Sequence, residues 1–479
     1  MGRWAAEWPG TVHFIGVGGV AMSGLATLLA ERGVRVRGSD QAVYPPASEV
    51  LAAAAIEVRT PYAAANLDPP GDVDLVVVGN AVSRGNPELE RALEERLPLA
   101  SLAEVVERLL VPGRRVSVVA GTHGKTTTSS MLAWLHHAAG RDPSFLVGGR
   151  PGNFPHGGRL GGGEDLVLEG DEYDTAFFDK GPKFLHYWPQ VAVIGAVEFD
   201  HADIYADLAA VERAFALFVR MVPESGLLAV PHDDPVARRL AAAARCRVAT
   251  FGLGGNAVLA AHERTEGEDG QRFVAVREGR ALAEVRLALP GPHNAKNALA
   301  ALLAAEAAGL PIEDASRHLA TWIPPRRRLE VTGRGGGVVV YDDFAHHPTA
   351  IAHTLATLRA RVPAGGRLVA CFEPRSNTMV RKVFERALGD ALSTADAVFL
   401  GAVDRPERFP DEDRLDVAAV VARLRSRGRE ASGPLSPDAI LAGVAGRLAP
   451  GDVVAVMSNG AFGGLARRLG EAVAARGTA

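Results

Sequence analysis

Arg115-Val-Ser-Val-Val-Ala-Gly-Thr-His-Gly-Lys-Thr-Thr-Thr-Ser129 is an apolar run that leads into a glycine loop, a lysine and a polar helix start. A strand, a glycine turn and a helix in this order predict a phosphate-binding loop, because backbone N–H groups and the helix N-terminus attract anionic oxygens. Lys125 would contact the β- and γ-phosphates of ATP, and the Thr126 hydroxyl would ligate Mg²⁺. We assign nucleotide contacts to Gly121, Thr122, His123, Gly124, Lys125, Thr126 and Thr127. The alternative is a capped strand-to-helix turn without a ligand.

Composition favours a large globular enzyme. The chain has 479 residues, of which 47% are hydrophobic and 23% charged, and this length predicts two to four domains. A net charge of -4 gives no basic field for nucleic acid. Cys246 and Cys371 form no metal or disulfide pattern, and no run has the length and apolarity of a signal or a membrane span. We therefore expect a cytoplasmic protein that acts on small molecules, with no nucleic acid, membrane or obligate protein partner.

The first segment, residues 1–111, alternates short β runs with helical stretches and predicts a Rossmann-like domain with a parallel sheet. The β runs are 12–15, 34–37 and 75–78, with a helix over 20–31. Its first turn, Gly16 to Ala21, has the form G-x-G-x-x-A, and Asp40 follows the next strand at the distance expected of a ribose-binding acid. Such a turn holds the diphosphate of a dinucleotide or of a UDP-sugar, or it serves only close packing between strand and helix.

Two further segments follow. Pro112-Gly113 begins a central domain, residues 112–324, in which strands near 166, 191, 227 and 248 predict a parallel sheet around the phosphate loop. Short alternating runs over 258–289 predict β-hairpins, and a helix over 294–308 closes this domain. Pro324-Pro325 predicts a stiff hinge. Strands near 338, 368, 397 and 453 then predict a second Rossmann-like domain over 325–479, so that the whole chain is an α/β protein of three domains.

Two carboxylate clusters follow predicted strands of the central domain. Glu169-Gly-Asp-Glu-Tyr-Asp174 comes after the strand 165–168, and Glu198-Phe-Asp-His-Ala-Asp203 after a strand over 191–197. The carboxyl ends of parallel strands are where open sheets bind ligands, and Mg²⁺ prefers carboxylate and phosphate oxygens. Each cluster is therefore a candidate Mg²⁺ site, with a solvated acidic loop as the alternative. Imidazole binds Mg²⁺ weakly, so a hydrogen-bonded structural role is the alternative for His201.

Three other stretches carry polar groups at positions where a nucleotide or phosphate could bind. They are His293-Asn294-Ala-Lys-Asn297, Tyr341-Asp-Asp-Phe-Ala-His-His347 and the basic run Arg326–Arg328. Helix capping explains the first equally well, a turn before Pro348 the second, and a surface charge run the third. One guanidinium of the basic run could instead reach a transferring phosphoryl group.

The order of these signals resembles the Mur ligase family over essentially the whole chain. The matching motifs are Gly121-Thr-His-Gly-Lys-Thr-Thr-Thr128, Glu169-Gly-Asp-Glu172, Asp200-His201, His293-Asn294, Arg326-Arg-Arg-Leu-Glu330 and the opening His13-Phe-Ile-Gly-Val-Gly-Gly19. The resemblance implies a UDP-sugar domain over 1–111, an ATPase domain over 112–324 and a domain for the amino substrate over 325–479. It implies an ATP-dependent ligase that joins UDP-N-acetylmuramate to an amine through an acyl phosphate.

The resemblance also implies roles for individual residues. Catalysis would fall to Lys125, Glu169, His201 and Arg327, and Mg²⁺ would be held by Thr126, Glu169 and His201. Asn294, Asp343 and Arg327 would contact ATP. UDP-sugar contacts would come from Gly16, Gly18, Gly19, Ser23 and Asp40, and further substrate contacts from His346 and Arg375. Arg375 suits a carboxylate of the amino substrate, because a guanidinium pairs with carboxylates through two hydrogen bonds.

Two stretches bear on the identity of the amine, residues 174–187 and residues 372–379. Both resemble family members that take L-alanyl-γ-D-glutamyl-meso-diaminopimelate in peptidoglycan recycling, rather than those that take L-alanine. The L-alanine reaction stays as the alternative within the family. From other classes, a nicotinamide-dependent oxidoreductase would explain the first glycine turn but not the ATP loop, and a nucleotide sensor would keep the ligands without turnover.

Overall fold

The computed structural model describes residues 8–44 and 47–477. They divide into two compact units, one of residues up to 199 together with 207–325, the other of 200–206 together with residues from 326 onward. Among the described helices, none combines the length and the apolarity needed to span a membrane. Cys246 and Cys371 are both buried free thiols.

The first unit begins with a five-stranded sheet in which all strands are parallel, in the order β3-β2-β1-β4-β5. Its strands are β1 Thr11–Ile15, β2 Arg35–Ser39, β3 Glu57–Arg59, β4 Leu75–Val78 and β5 Leu99–Ser101. Its helices are α1 Val20–Glu31, α2 Ala47–Ala53, α3 Pro87–Glu94 and α4 Leu102–Val105. Strand β4 is buried along its whole length, as expected for a central strand covered on both faces.

A ten-stranded sheet occupies the rest of this unit, in the order β17-β16-β15-β14-β13-β12-β6-β9-β7-β8. The strands in this part of the chain are β6 Arg115–Ala120, β7 Ser144–Leu146, β8 Gly158–Arg159, β9 Asp165–Gly170, β10 Asp174–Ala176, β11 Asp179–Pro182, β12 Val191–Ile194, β13 Leu227–Pro231, β14 Arg247–Gly252, β15 Leu259–Gly267, β16 Gly270–Arg277 and β17 Arg280–Leu287. Strands β10 and β11 form a separate hairpin. The helices are α5 Lys125–Ala138, α6 Leu208–Arg220, α7 Pro235–Ala241, α8 Pro292–Ala307 and α9 Ile312–Leu319.

The pairing within the ten-stranded sheet places the phosphate loop at its centre. Strand β6 pairs in parallel with β12 on one side and with β9 on the other, so their carboxyl ends meet at one edge. Strands β15, β16 and β17 are antiparallel. The parallel sheet and the added hairpins were predicted and are confirmed, and the structure further shows that β9, which leads into the acidic cluster, lies beside the phosphate-loop strand.

The two sheets of the first unit are joined through a close contact between α1 and β8. A Cβ atom placed on Gly158 would overlap the carbonyl of Gly24, and one on Gly24 would approach Leu146 to 3.2 Å. Backbone therefore packs on backbone here, which only glycine permits. The contact fixes the start of α1 beside the loop that connects β7 to β8.

The second unit contains a six-stranded sheet in the order β18-β19-β23-β20-β21-β22, parallel except for β18. Its strands are β18 Glu330–Gly335, β19 Val338–Asp343, β20 Leu368–Phe372, β21 Ala397–Gly401, β22 Glu430–Leu435 and β23 Val453–Met457. Its helices are α10 Pro348–Arg359, α11 Glu385–Leu392, α12 Val417–Ser426, α13 Pro437–Ala445 and α14 Leu465–Ala474. Apolar side chains fill both faces of this sheet.

The predicted α/β class is confirmed. One strand prediction was too long: residues 191–197 were expected to be a single strand, but β12 ends at Ile194. The N–H of Gly195 donates to the carbonyl of Ala120 (2.8 Å), and the carbonyl of Ala196 accepts from Thr122 (2.7 Å). The chain therefore leaves the sheet to pair with the phosphate loop. The boundaries predicted at 111 and 324 stay predictions.

Candidate active site

The phosphate loop joins β6 to α5 through a tight turn. Gly121 and Gly124 have positive φ angles of 125° and 79°, and a Cβ on Gly121 would lie 2.7 Å from the backbone of Gly195. Helix α5 begins at Lys125 and has no side-chain cap at its N-terminus. The backbone N–H groups of the loop and the positive end of the helix dipole are thus available to an anion, and phosphate binding at this loop stays a prediction.

Lys125 is held at the centre of this loop. Its ammonium donates to the carbonyl of Gly121 at 2.8 Å and to both carboxylate oxygens of Glu172 at 2.8 and 3.2 Å. Burial alone would lower the pKa of Lys125, but the negative charges of Glu172 and Asp171 outweigh it and raise that pKa. Lys125 is therefore a fixed positive charge at neutral pH.

Glu169 contacts the first turn of helix α5 at Thr126, the residue after Lys125. One of its carboxylate oxygens accepts from the Thr126 hydroxyl (2.9 Å) and the other from the N–H of Gly148 (2.8 Å). Burial and the neighbouring charge of Asp171 raise the pKa of Glu169, and Lys125 opposes this only partly. An excess of buried negative charge beside a threonine hydroxyl and a phosphate loop is the environment that a divalent cation stabilises.

The segment after β12 closes the opposite side of the loop. The Thr122 hydroxyl accepts from the N–H of Glu198 at 2.9 Å, and His123 Nε2 lies 3.4 Å from the Glu198 carboxylate. The N–H of Val197 donates to Asp234. The structure therefore brings both predicted strand ends, after β9 and after β12, to the phosphate loop.

The stretch 174–187, which the sequence singled out, forms the β10–β11 hairpin and a single 3₁₀ turn over Lys183–His186. The Lys183 ammonium lies 3.1 Å from the Asp171 carboxylate and 4.0 Å from the centre of the Tyr173 ring. A buried lysine in an ion pair and a cation–π contact fixes both partners. The hairpin is thus tied to the acidic cluster beside Lys125.

The same stretch is also tied to the first sheet domain. The two ring nitrogens of His186 lie 2.8 Å from carboxylates of Glu107 and Asp179, and the Trp188 indole donates to Glu107 at 2.8 Å. Phe177 packs against the core of the five-stranded sheet. The hairpin therefore connects the acidic cluster to the predicted UDP-sugar domain.

The glycine turn between β1 and α1 is organised by Asp40. One carboxylate oxygen of Asp40 accepts from the N–H of Gly18 at 2.8 Å, and the other from the Tyr62 hydroxyl at 3.2 Å. Gly16 has a positive φ of 88°. The Ser23 hydroxyl donates to the carbonyl of Val20. Asp40 therefore holds the turn itself in shape, a role that the sequence pattern does not show.

A buried polar cluster lies behind this turn. The fully buried Glu88 carboxylate accepts from the Asn66 amide and the N–H of Ala63, and it also contacts Ser39 and His13. Burial lowers the pKa of His13, which the hydrogen bond with Glu88 opposes only in part. The cluster connects β1, β2 and α3 and so fixes the strand ends that carry the glycine turn and Asp40.

Asn294 lies in the first turn of α8 and is buried. Its amide donates to the carbonyl of Pro290 at 2.7 Å, and its carbonyl oxygen accepts from Asn297 at 3.2 Å. A Cβ placed on Gly124 would contact the Asn297 side chain. Helix α8 thus begins directly at the phosphate loop, as the prediction of a nucleotide contact requires, and the helix cap is Gly291 rather than Asn294.

In the second unit, Arg327 and Asp343 form one network. Arg327 has a left-handed φ of 60°, and its guanidinium donates to the Ser458 carbonyl (2.6 Å) and to Asp342 (3.2 Å). The buried Asp343 carboxylate accepts from the N–H of Leu329 and from the Thr354 hydroxyl. The acids therefore hold a strained turn that orients Arg327.

Asp200 and His201 belong to the second unit. His201 has a left-handed φ of 54°, and its N–H donates to the Asp200 carboxylate at 2.7 Å. Burial would raise the pKa of Asp200. The charges of three histidines and a hydrogen bond from Thr378 outweigh this effect and hold that pKa below its usual value; the histidines are His201, His346 and His347. His346 Nδ1 lies 2.9 Å from the Phe344 carbonyl.

The 372–379 stretch fixes the segment that carries His201. The N–H of Ala202 donates to the Thr378 hydroxyl (3.2 Å), and the Asn377 amide donates to the Asp203 carboxylate (2.8 Å). The sequence singled out residues 200–203 and residues 372–379 separately, and it did not predict the contact between them.

Arg375 lies among acidic groups at the end of β20. Its guanidinium is 4.0 Å from Glu373 and 3.9 Å from Asp404, and its side chain is 37% exposed. The aliphatic part crosses Gly460, where any side chain would displace it. Arg375 therefore reaches the surface with its charge accessible to a ligand carboxylate.

Comparisons with known proteins match the chain along its length. Residues 11–112 match the domain described as Mur ligase family, catalytic domain, residues 163–305 the Mur ligase middle domain, and residues 327–460 the Mur ligase, glutamate ligase domain. The chain is 40% identical over 468 residues, 98% of its length and 99% of the other, to UDP-N-acetylmuramate–L-alanyl-γ-D-glutamyl-meso-2,6-diaminoheptandioate ligase of Escherichia coli K12.

Two further similarities bear on fold and substrate. The chain is 37% identical, over 99% of its length and 91% of the other, to UDP-N-acetylmuramate–L-alanine ligase of Salinispora arenicola. The crystal structure of a murein peptide ligase from Psychrobacter arcticus 273-4 superposes with a TM-score of 0.73 at 32% identity, covering 97% of this chain and 98% of that one.

Proposed function

This chain belongs to the Mur ligase family, and from that premise we propose that it joins UDP-N-acetylmuramate to the tripeptide L-alanyl-γ-D-glutamyl-meso-diaminopimelate at the expense of ATP. The observation that carries the proposal is the phosphate loop in which Lys125 and Thr126 lie against Glu172 and Glu169. The tripeptide reaction is the one named for the Escherichia coli relative. We assign the reaction to peptidoglycan recycling in the cytoplasm.

The reaction needs an activated carboxylate, because a muramyl carboxylate is a poor electrophile. A carboxylate oxygen attacks the γ-phosphorus of ATP, the bond to the β,γ-bridging oxygen breaks, and ADP leaves. The tripeptide amine then attacks the carbonyl of the acyl phosphate, inorganic phosphate leaves with the C–O electron pair, and the amine loses a proton. Lys125 and, as proposed from the family resemblance, Arg327 stabilise the negative charge on the transferring phosphoryl group.

The acidic cluster fits a divalent cation. Glu169 is half-buried among other acids, with a raised pKa, and its carboxylate lies 2.9 Å from the Thr126 hydroxyl. We propose that Thr126 and Glu169 hold one Mg²⁺ and that His201 contributes to a second. When bound, Mg²⁺ would neutralise phosphate charge.

The remaining site residues keep their proposed roles. The loop residues Gly121, Thr122, His123, Gly124 and Thr127 would contact phosphates, and Asn294 and Asp343 the nucleoside. The UDP-sugar would be bound by Gly16, Gly18, Gly19, Ser23 and Asp40. His346 and Arg375 would contact the substrates, with Arg375 taking a carboxylate of the tripeptide.

The choice of the tripeptide over L-alanine rests on the hairpin stretch 174–187 and on the 372–379 stretch. Percent identity alone does not separate the two activities, because a tripeptide ligase is 40% identical over 98% of this chain and an L-alanine ligase is 40% identical over 83% of it. The first contacts the acidic cluster after β9 through Lys183, and the second contacts the segment that carries His201 through Thr378. A nicotinamide oxidoreductase is not favoured, because the Asp40 carboxylate is used by the glycine turn.

The test is phosphate release by the purified protein with ATP, Mg²⁺ and UDP-N-acetylmuramate, using the tripeptide or L-alanine as the amine. We expect release with the tripeptide and mass-spectrometric detection of the UDP-muramyl tripeptide. Release with L-alanine alone would reassign the chain to the biosynthetic reaction. ATP binding without release for either amine would favour the sensor alternative.

A further inference from the structure

A small cleft of about 20 Å³ opens beside the glycine turn of the first unit. Helix α1 lines one side with Val20, Ser23 and Gly24, and the loop that connects β7 to β8 lines the other with Gly149, Arg150 and His156. The Gly24–Gly158 contact holds these walls together. The cleft therefore joins the proposed UDP-sugar site to the domain that contains the phosphate loop.

The two cationic side chains among the described lining residues differ in their partners. His156 Nε2 lies 3.2 Å from the Glu31 carboxylate. Arg150 is partly buried and makes no ion pair or hydrogen bond with residues 8–44 or 47–477. Because a guanidinium offers five donors, one that faces a cleft without a protein partner is suited to an anionic ligand.

The charge balance of the glycine turn calls for such a cation. Asp40 places a carboxylate at the turn and occupies the N–H of Gly18. The diphosphate of a UDP-sugar is doubly negative, so the turn would bring it near a like charge. The N-terminus of α1 offsets part of the negative charge of Asp40 and the diphosphate. Among the described lining residues, Arg150 is the cation that is available to offset the remaining negative charge.

We propose that Arg150, contributed by the ATPase part of the first unit, binds the diphosphate of the UDP-sugar. This inference rests on the proposed function and adds a residue to it. Arg150 pairs with diphosphate oxygens through two parallel hydrogen bonds, an arrangement that lysine reproduces only as a point charge. Diphosphate binding thereby connects the sugar domain to the loop that follows β7.

The test is isothermal titration calorimetry of wild type, Arg150→Met and Arg150→Lys with UDP-N-acetylmuramate and with UDP-N-acetylglucosamine, which lacks the muramyl carboxylate. Arg150→Met should weaken both by about ten- to hundredfold, the range for a charged hydrogen bond. Arg150→Lys should show an intermediate loss. Binding of a non-hydrolysable ATP analogue should change by less than about twofold in both variants. Arg35→Met, which removes an exposed arginine on β2, is the matched control and should bind both sugars as wild type does.

Four results would overturn the inference. Unchanged affinity of Arg150→Met for both sugars would remove Arg150 from the site. Loss for UDP-N-acetylmuramate alone would mean that Arg150 binds the muramyl carboxylate instead. Loss of the ATP analogue together with both sugars would indicate a structural role. Wild type that binds the ATP analogue but neither sugar would refute the proposed function itself, and this inference with it.

Discussion

The ammonium of Lys125 lies 2.8 Å from the carboxylate of Glu172, whose side chain is 2% exposed. Removing one partner of a buried ion pair leaves the other charge uncompensated, at a cost larger than the net contribution of the pair. Glu172 thus serves the phosphate loop by stabilising its lysine in the charged form. ATP phosphates, which also carry negative charge, would stabilise the same ammonium.

Glu172→Gln should therefore destabilise the protein, and ATP should reverse much of the loss. We expect about 3 kcal/mol less stability without nucleotide, because the glutamine keeps a hydrogen bond but not the charge. A saturating ATP analogue should raise the melting temperature of this variant more than that of wild type. Differential scanning fluorimetry measures both. Glu164→Gln, at an exposed neighbouring position, is the control, and equal shifts in all three proteins would contradict the prediction.

Lys125→Ala should stop turnover without affecting the UDP-sugar site. We expect ADP release to fall by about a hundredfold or more, because the role we propose for the lysine is to stabilise developing phosphoryl charge. The affinity for UDP-N-acetylmuramate, measured by calorimetry, should stay within about twofold of wild type. The control is Lys382→Ala, at an exposed position outside the 174–187 and 372–379 stretches. An equal loss of turnover and sugar affinity would show that the two sites are not separate.

Arg375→Ala should raise the KM for the tripeptide by about tenfold or more, as expected for a lost charged hydrogen bond, and leave the KM for ATP nearly unchanged. Steady-state phosphate release with each substrate varied in turn gives both values. Arg386→Ala, at an arginine whose side chain is 85% exposed, controls for loss of positive charge. If only the KM for ATP rises, Arg375 belongs to the nucleotide site.

The buried His13 should make stability depend on pH. Its pKa in the folded protein is lowered, chiefly by burial, whereas the unfolded value is about 6.5. The unfolded chain therefore binds more protons below that value, and stability is lost as the pH falls from about 7 to about 5.5. Glu88, with a depressed pKa, contributes only at lower pH.

His13→Gln keeps a donor for Glu88 but cannot titrate. We expect its melting temperature to fall less than that of wild type between those two pH values. His136, whose pKa is lowered by burial to about 4, acts in the same direction and accounts for part of the remaining dependence. His262→Gln, at an exposed position, should behave as wild type does. An identical pH dependence in His13→Gln would refute the assignment.

The sequence predicted the elements that have strong local signals. Helix α1 was predicted over 20–31 and found at Val20–Glu31, because a glycine turn and an apolar face define both ends. The end predicted for the strand over 191–197 was wrong, because Gly195 and Ala196 leave the sheet through backbone hydrogen bonds to Ala120 and Thr122, and these contacts between distant segments leave no local signal in the sequence. Apolar character alone cannot show where a chain leaves a sheet.

The site was predicted at the level of motifs and less well at the level of contacts. Four acids occur within Glu169–Asp174, and only the three-dimensional arrangement shows that Glu172 faces Lys125 while Glu169 faces Thr126. The sequence did not single out Arg150, for which we propose diphosphate binding, because a single arginine in a loop rich in glycine and proline carries no pattern.

The backbone contact between Gly24 and Gly158 limits how this protein can be recombined with its relatives. A chimaera that takes the segment with Gly24 from one parent and the segment with Gly158 from another must inherit a matched pair at these two positions. A Cβ at position 158 would overlap the carbonyl of residue 24, and a Cβ at position 24 would press on Leu146. Libraries that vary substrate preference should therefore place their crossovers so that both glycines are kept. A homologue with larger residues at this pair would be an unsuitable donor for either half.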